Sequence, residues 1–293
     1  MPRKKKSSLE IIIVNYNAQF WLKKTLSSLK KHYLDQAYHR VTVTVVDNAS
    51  TDDSSTLVKR NFRWARLVQA EKNLGFAKAN NLALEKSRTD YVMLLNSDVE
   101  FTANSNLDLL VDHLNQHSQV AVIGPKIIFT DGSLDPACHR GEPTLWAALT
   151  YFLKLETLFP KSSWFGQYHQ GFKSLNQTHL VDAISGAAMM VRQAAIKQVG
   201  LLDERFFMYA EDLDWCRRFR DKGWQVVFYP AVSLIHHKYK SGLKNTSQAI
   251  ARKTRKHFYN TMLQYYDKHY AQSYPGWVRK LVRIFITIKK GAL

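Results

Sequence analysis

The 293-residue sequence is poor in cysteine, glycine and proline, and it has no long apolar run. Its two cysteines, Cys138 and Cys216, supply neither a disulfide framework nor a paired metal spacing, which fits a reducing cytoplasm. With only 12 Gly and 7 Pro and 45% hydrophobic residues, the composition is typical of an ordered globular protein. Nowhere do roughly 18 uncharged apolar residues follow one another. We therefore expect neither a membrane span nor an export signal.

Acidic residues are scarce relative to basic ones, and the imbalance is concentrated at the two ends. The formal net charge is +18, of which +12 falls between Lys238 and the C-terminus and +3 in residues 1–10. The intervening body is nearly balanced. A partner that carries many negative charges, either anionic lipid or nucleic acid, would suit such ends.

Short β-branched runs alternate with segments of helical spacing. Strands separated by helices imply a mostly parallel sheet flanked by helices in an α/β layer fold. An aromatic-rich stretch of weak periodicity, at about 138–178, is interpreted as an excursion that covers the site. The predicted strands are 9–14, 41–46, 66–68, 91–95, 120–123, 184–191, 226–229 and 232–235, and the predicted helices are 21–32, 54–60, 77–86, 105–117 and 193–199.

Polar residues follow successive predicted strands: Asn15 and Tyr16, then Asp47, then Asn96 and Asp98. Open α/β sheets bind ligands at the carboxyl edge of their strands. Asp47 could simply open a loop that caps the next helix. Alternatively, its carboxylate accepts the imide N–H of a uracil or thymine base, with Tyr16 packed nearby, because a carboxylate only accepts hydrogen bonds.

The segment from Asn73 to Asn81 contains a glycine at a predicted helix start. It does not match the glycine spacing of a dinucleotide fingerprint, and a plain turn would explain it. The alternative is that N–H groups around Gly75, together with Lys78, receive a diphosphate.

Asp98 ends an apolar strand, as expected for a ligand of Mg²⁺ or Mn²⁺, which often use one or two carboxylates and complete their shell with phosphates and water. A strand-end turn is the alternative. His236 and His237 follow another predicted strand. Neighbouring side chains of a strand point to opposite faces, so at most one reaches the site. We assign a metal role to His236, against a purely structural one.

Three acids, Glu211, Asp212 and Asp214, lie between an aromatic run and a basic pair. Helix-dipole effects and an ion pair from Asp214 to Arg218 explain one or two of them. We expect another to be a general base without a charged partner, facing an incoming hydroxyl, since nearby aromatic surface can raise the basicity of an acid.

Residues 277–290 place apolar side chains on one helical arc and basic ones on the other, with Lys289 the exception. A basic amphipathic helix with Trp and Phe is typical of a membrane-surface segment. Packing on the protein's own body is the alternative. We take 276–290 as a possible membrane-surface helix.

Six segments in this order resemble the motifs of family 2 glycosyltransferases, and most closely those of the rhamnosyltransferase-like branch that acts on bacterial surface polysaccharides. The resemblance covers roughly residues 9–240. The segments are IIVNYN (12–17), VVDNASTD (45–52), NLGFA (73–77), LNSD (95–98), SGA (185–187) and FFMYAEDLDWCRR (206–218).

The resemblance implies a GT-A fold, a nucleotide-diphosphate sugar donor and inversion at the anomeric carbon. It implies that Asp47 binds the base, that Asp98 is the last acid of the metal motif, and that Asn96 replaces the usual first acid. Asp212 would then be the general base, with Glu211 as its neighbour. Gly186 and Ala187 would lie near the sugar and the acceptor.

The expected protein has three parts: a basic tail at 1–8, a GT-A domain at 9–240 and a basic helical region at 241–293. We expect an inverting glycosyltransferase on the inner face of the cell membrane, cytoplasmic and peripheral. dTDP-rhamnose is the favoured donor, and the acceptor is a saccharide or lipid-linked saccharide. The alternatives are a sugar nucleotidyltransferase, a non-catalytic binder of anionic lipid or nucleic acid, and a catalytically dead scaffold. Clustered acids in the body argue against nucleic acid as a partner. The sequence leaves open the donor sugar, its base, the acceptor and the oligomeric state.

Overall fold

The computed structural model describes residues 6–237 and 248–291, which form nine strands and ten helices. Residues 1–5 of the expected basic tail and the expected boundary at 240 lie outside the described residues. In chain order the elements are β1 (Ser8–Asn15), α1 (Gln19–His32), β2 (Arg40–Asp47), α2 (Ser54–Asn61), β3 (Arg66–Gln69), α3 (Phe76–Leu84), β4 (Tyr91–Asn96), β5 (Val99–Glu100), α4 (Asp108–Gln116), β6 (Val120–Phe129), α5 (Leu145–Phe152), α6 (Leu155–Leu158), β7 (His179–Leu180), β8 (Ala188–Arg192), α7 (Gln193–Val199), α8 (Glu211–Asp221), β9 (Gln225–His236), α9 (Gln248–His269) and α10 (Gly276–Gly291).

One sheet organises the fold, with strand order β3-β2-β1-β4-β8-β6-β9-β5 and β7 paired to β9. The half β3-β2-β1-β4 is parallel, as predicted from the alternation of strands and helices. β8 is antiparallel to both of its neighbours, and β6 runs parallel to β9. The register sets Asn15 beside Asp47 and Val14 beside Asn96, so the polar strand ends share one edge.

The core lies on both faces of this sheet, which explains the nearly continuous apolar runs of its strands. Ile11, Ile12 and Ile13 of β1 are all fully buried, although their side chains alternate between the two faces. Helices cover the faces through apolar stripes. In α1 the buried stripe consists of Leu22, Leu26 and Leu29, at helical spacing.

Three predicted strands differ from the structure. The segments 226–229 and 232–235 are one strand, β9, which continues through Pro230. Its pairing with β6 skips from Tyr229 to Ser233, so Pro230 lies in an irregularity where no ladder hydrogen bond is needed. The predicted strand 184–191 begins only at Ala188, because the preceding residues turn toward α8.

The C-terminal helices pack on this body. Tyr265 and Tyr266 of α9, and Tyr270 directly after it, belong to the same apolar core as the sheet. α10 buries Ile286 and leaves a stripe of large apolar residues exposed. Within the ranges described, no helix combines the length and apolarity that a bilayer crossing requires. The division of the chain into three parts stays a prediction.

Candidate active site

Two buried oxygens without partners mark the ends of β1 and β2. The Asn15 side chain donates from Nδ2 to Ser50 Oγ at 3.2 Å, whereas its Oδ1 and Asp47 Oδ1 find no hydrogen-bond partner in the described ranges. A buried acceptor without a donor is costly, so such a pair points to a ligand that donates there. The exposed Tyr16 ring follows directly. This arrangement fits the expected nucleoside base.

The loop before α3 uses its N–H groups within the protein. Leu74 N–H donates to Asn48 Oδ1 at 2.8 Å, Gly75 N–H to Asn73 Oδ1 at 3.0 Å, and Phe76 N–H to the Phe207 carbonyl at 2.7 Å. The expectation that N–H groups around Gly75 receive a diphosphate is therefore wrong for these three donors.

Lys78, the cation expected to bind a diphosphate, forms an exposed ion pair with Glu204 at 3.1 Å. Exposed pairs of this kind contribute little and exchange readily. Its role toward a diphosphate stays a prediction.

Gly75 instead permits a close approach between two loops. Its φ is +79°, in the region that favours glycine, and a Cβ atom there would lie 2.3 Å from the Phe207 carbonyl oxygen. Phe207 belongs to the loop that leads into α8. The loop after β2, the loop before α3 and the loop before α8 are thereby held together.

Asp98 and His236 meet at the same edge of the sheet. His236 Nε2 lies 3.2 Å from Asp98 Oδ1, and His236 Nδ1 lies 2.9 Å from Asp135 Oδ2. Burial alone would lower the pKa of His236, but its hydrogen bonds to Asp135 and Asp98 and their charges raise it to about 9. His237 points elsewhere: it stacks on Trp21 and bonds Glu100. Of the two histidines, His236 is the one at the site.

The Asp98–His236 pair fits a divalent cation once His236 gives up its proton, because the Nε2 that now faces Asp98 would then become a ligand. It supplies one carboxylate and one imidazole whose second nitrogen is oriented by Asp135, as in metal-ligating histidines. No cluster of three or more His, Cys, Asp or Glu suited to a metal occurs in the ranges 6–237 and 248–291. Mg²⁺ and Mn²⁺ suit such a site, because they complete their shell with phosphate oxygens and water. Asn96 lies at the end of β4, half-buried, two residues before Asp98.

Asp212, the expected base, has a charged partner. The expectation that the base lacks one is therefore wrong. Its Oδ2 accepts from Arg140 at 2.6 Å and from the Gly186 N–H at 3.2 Å, and its Oδ1 accepts from the Leu213 N–H at 2.8 Å. The carboxylate is thus fixed in orientation by a cation and two backbone donors. Oδ2 thus already accepts two hydrogen bonds, whereas Oδ1 accepts one and still has a lone pair for an incoming hydroxyl.

Glu211 stands beside it in a different environment. The side chain is buried, and its Oε2 has no hydrogen-bond partner in the part of the chain that the structure describes. Burial and the neighbouring Asp212 charge raise the pKa of Glu211 to about 8. Glu211 therefore keeps its proton near neutral pH, and a buried acid whose pKa is raised in this way is a pattern found at catalytic sites.

Asp214 forms the expected ion pair with Arg218 and has a structural role. It accepts from Arg218 at 2.8 Å, from His269 at 2.8 Å, and from Lys268. Burial would raise the pKa of this carboxyl group, but the hydrogen bonds from His269 and Lys268 lower it. Asp214 ties α8 to α9.

A short chain of hydrogen bonds joins the two acid sites. Asn96, two residues before Asp98, donates its N–H to the Ala187 carbonyl at 3.0 Å. The adjacent Gly186 donates to Asp212. A Cβ on Gly186 would press on Phe76 at 3.1 Å, so glycine keeps this junction tight. The structure thus brings the segments of Asp98 and Asp212 to the same region.

Strain is concentrated just before the acids. Tyr209 and Ala210 have φ of 71° and 65°, and neither is a glycine. Consecutive residues in this region persist only when their surroundings enforce them, and they cluster at functional sites.

Arg140, Tyr168 and Asp135 are site residues that the sequence did not reveal. Arg140 and Tyr168 belong to the aromatic-rich segment, and Asp135 precedes it. Their spacing follows no period, and they reach their partners Asp212, Arg140 and His236 across 72, 28 and 101 residues respectively. The one available signal was a polar group, His139-Arg140, beside an aromatic stretch.

The raised pKa of Glu211 leads to a stability prediction. The unfolded chain releases this proton near the ordinary value of 4.5, whereas the folded protein keeps it to about 8. The free energy of unfolding should therefore fall as pH rises between those values. Glu211→Gln should flatten this fall, and the exposed Glu85→Gln should not. Chemical denaturation at about pH 5 and about pH 9 measures it; equal slopes for wild type and Glu211→Gln would contradict the assignment.

Comparison with known proteins identifies a family, relatives and similar folds for this chain. The family described as Glycosyl transferase family 2 matches residues 10–199. The chain is 29% identical over 286 residues to an N-acetylglucosaminyl-diphospho-decaprenol L-rhamnosyltransferase of Mycobacterium tuberculosis, covering 94% of this chain and 88% of that protein. It is 27% identical to Rhamnosyltransferase WbbL of Escherichia coli, covering 83% and 92%. The mannosyltransferase PcManGT of Pyrobaculum calidifontis, solved with GDP-Man and Mn²⁺, superposes with a TM-score of 0.60 at 17% identity, over 90% of this chain and 64% of that one.

Proposed function

The chain belongs to glycosyl transferase family 2, and we propose that it moves rhamnose from dTDP-rhamnose to a hydroxyl of a lipid-linked saccharide in bacterial surface polysaccharide synthesis. Family membership supports a glycosyltransferase with the GT-A fold. The names of the two relatives support rhamnose as the sugar, and the name of the mycobacterial one supports a lipid-linked acceptor. The observation that carries the proposal is the hydrogen-bonded junction that links the Asp98 segment to Asp212.

Donor binding is assigned to the edge of the parallel strands. Asp47 accepts the imide N–H of thymine or uracil, and Asn15 Oδ1 offers a second acceptor nearby. Tyr16 lies against the base, and Asn73 holds the loop around Gly75 in place. Lys78 is free to exchange Glu204 for a phosphate oxygen.

The reaction is a single in-line displacement with inversion. The acceptor oxygen attacks C1 of the sugar, its proton passes to Asp212, and the bond from C1 to the diphosphate oxygen breaks, releasing the nucleoside diphosphate. Gly186 and Arg140 keep the Asp212 carboxylate aimed during the transfer. Mg²⁺ or Mn²⁺, held by Asp98 and His236, would supply neutralisation of the charge on the leaving group.

A donor panel tests this function. Purified protein is incubated with dTDP-rhamnose and with UDP-linked glucose, galactose and an amino sugar, and nucleoside diphosphate release is measured with and without a polyprenyl-diphosphate saccharide. We expect release to be fastest with dTDP-rhamnose and to rise when the acceptor is added. If no donor releases nucleoside diphosphate, or if only a donor other than dTDP-rhamnose does, the proposal is contradicted.

Asp47→Ala provides the matching test of base recognition. Loss of a hydrogen bond to a charged acceptor should weaken dTDP binding by about 10- to 100-fold. The exposed Asp53→Asn in the same loop serves as a control that keeps binding. Equal dTDP affinity in wild type and Asp47→Ala, measured by calorimetry, would remove Asp47 from the base site.

We further propose that the protein works peripherally on the cytoplasmic face of the cell membrane through α10. One face of the helix packs on the body through Val282 and Ile286. The opposite stripe is more than half exposed and consists of Trp277, Leu281, Ile284 and Ile288. Lys280, Arg283 and Lys289 supply positive charge for anionic headgroups.

Vesicle binding tests the membrane assignment. Leu281→Gln/Ile288→Gln should weaken binding to phosphatidylglycerol vesicles by roughly tenfold per residue, since each buried Leu or Ile contributes about 1.5–3 kcal/mol. Leu109→Gln, which changes an exposed leucine of α4 and leaves the α10 stripe intact, should bind like wild type. Binding should decrease with added salt. Unchanged sedimentation of the α10 variant with these vesicles would exclude the stripe as the docking face.

A further inference from the structure

We infer that Arg140 is a positioning residue for the general base: it fixes the Asp212 carboxylate and offsets its charge so that this carboxylate can accept the acceptor's proton. The inference rests on the proposed function and adds a residue from outside the recognised motifs. It also gives a second task to the aromatic-rich segment, which was expected only to cover the site.

The contact is buried and direct. The Arg140 side chain is about 10% exposed and that of Asp212 about 12%, and Arg140 Nη2 lies 2.6 Å from Asp212 Oδ2. The guanidinium is also hydrogen-bonded to the Tyr168 side chain. Because a guanidinium is planar and permanently charged, two partners determine the direction in which it points.

The backbone around Arg140 is held as firmly as its side chain. Arg140 N–H donates to the Ala183 carbonyl at 3.0 Å, and its carbonyl accepts from the Ala183 N–H at 2.9 Å. Gly141 N–H donates to the Tyr168 carbonyl, and a Cβ on Gly141 would lie 1.9 Å from the Gln167 carbonyl oxygen. The segments that carry Arg140, Tyr168 and Gly186 are thus clamped around one carboxylate.

The charge balance at the start of α8 depends on this residue. Asp214 has two cationic neighbours of its own in Arg218 and Lys268, and it also bonds His269. Glu211 and Asp212 share only Arg140, which is the one cation in the described ranges that forms an ion pair with either acid. Adjacent buried carboxyl groups resist ionising together, so the cation decides how far the pair can deprotonate.

The titratable groups that face the acid pair are few. They are Arg140 itself, Tyr168 behind it, and Asp214 and Cys216 from α8. Cys216 is buried with its thiol pKa raised to about 12, so it stays neutral. Removal of Arg140 therefore leaves the pair without a charge that compensates it.

Arg140→Met tests the inference through kinetics. We expect kcat to fall by about 10²-fold while the donor KM changes less than about twofold, because orientation of the base matters in the transition state. The acidic limb of the kcat–pH profile should move to higher pH, because the base is protonated more readily without the cation. Arg140→Lys should restore part of both, and added guanidinium ion should partly rescue Arg140→Ala.

A structural role would give different results. Arg220 lies on α8 with Asp212 but pairs with Glu142, so Arg220→Met should lower the melting temperature without moving the acidic limb. Tyr168→Phe removes only the hydroxyl that bonds Arg140. It provides a second test in case Arg140→Met does not fold. If Arg140→Met or Tyr168→Phe keeps the wild-type profile, or if no guanidinium rescue is seen, Arg140 is a structural residue and the inference is overturned.

A readout without catalysis separates this inference from the proposed function. If wild type transfers no sugar from any donor, the proposed function fails, but the charge argument is still testable by denaturation. Arg140→Met should then lose stability more steeply than wild type as pH rises from about 5 to about 9. Parallel slopes would overturn the inference in that case as well.

Discussion

Asp212→Asn is expected to reduce kcat by about 10²–10⁴-fold, the usual contribution of a general base, while donor affinity stays near that of wild type. An amide cannot take the proton of the attacking hydroxyl, yet it keeps the shape that Gly186 and Leu213 hold by their N–H groups. Single-turnover measurements and donor binding by calorimetry separate the two effects. Normal turnover in this variant would exclude Asp212 as the base.

Asp214→Asn is the matched control for that experiment. It makes the same chemical change two residues further along α8, on a carboxylate that bonds Arg218 and His269 and contacts neither Gly186 nor Arg140. We expect a lower melting temperature, because a buried network loses its charged acceptor. Turnover per folded molecule should remain. A loss of kcat as large as in Asp212→Asn would indicate that the effect is one of helix stability.

Asp98→Asn is expected to have the second large effect, a loss of about 10²-fold or more in turnover. An amide oxygen is a weaker ligand than a carboxylate for Mg²⁺ or Mn²⁺. In wild type, Mn²⁺ should increase the affinity for nucleoside diphosphate, and in Asp98→Asn it should not. Calorimetry with and without Mn²⁺ measures this affinity. Chelation of wild type should reproduce both changes, and added Mn²⁺ should reverse them.

Glu100→Gln provides the control for the metal site. Glu100 lies on β5, two residues from Asp98, but it bonds Lys24 and His237 and not His236. The effect of Mn²⁺ on nucleoside diphosphate binding should be the same in Glu100→Gln as in wild type. Full turnover of wild type after chelation, or an Mn²⁺ response retained by Asp98→Asn, would show that the assignment of Asp98 is wrong.

The sequence predicted the parallel half of the sheet and the polar edge of the site well. Runs such as 9–14 and 41–46 are long, β-branched and bounded by polar residues, so local propensity and burial agree there. Once those strands are parallel, their ends meet at one edge, and Asn15 and Asp47 become neighbours without further information. The fold class and the family resemblance are both confirmed.

The parts that the sequence did not predict are contacts between distant side chains. The pair Arg140–Asp212 spans 72 residues and depends on how an aperiodic segment folds back. The internal use of the N–H groups near Gly75 depends on the Phe207 carbonyl, which no local pattern could place. The prediction divided β9 at Pro230, because proline normally interrupts a strand. The structure accommodates it through an irregularity in the pairing with β6, which the local sequence does not show.

The anchoring of Asp214 by α9 has a consequence for how this enzyme can be shortened. A fragment that ends at residue 240 would remove Lys268 and His269 from the wholly buried carboxylate of Asp214. It would also remove Tyr265, Tyr266 and Tyr270 and so expose the apolar residues that they cover. α9 thus stabilises α8, and a variant shortened to gain solubility should instead be less stable and aggregate more readily.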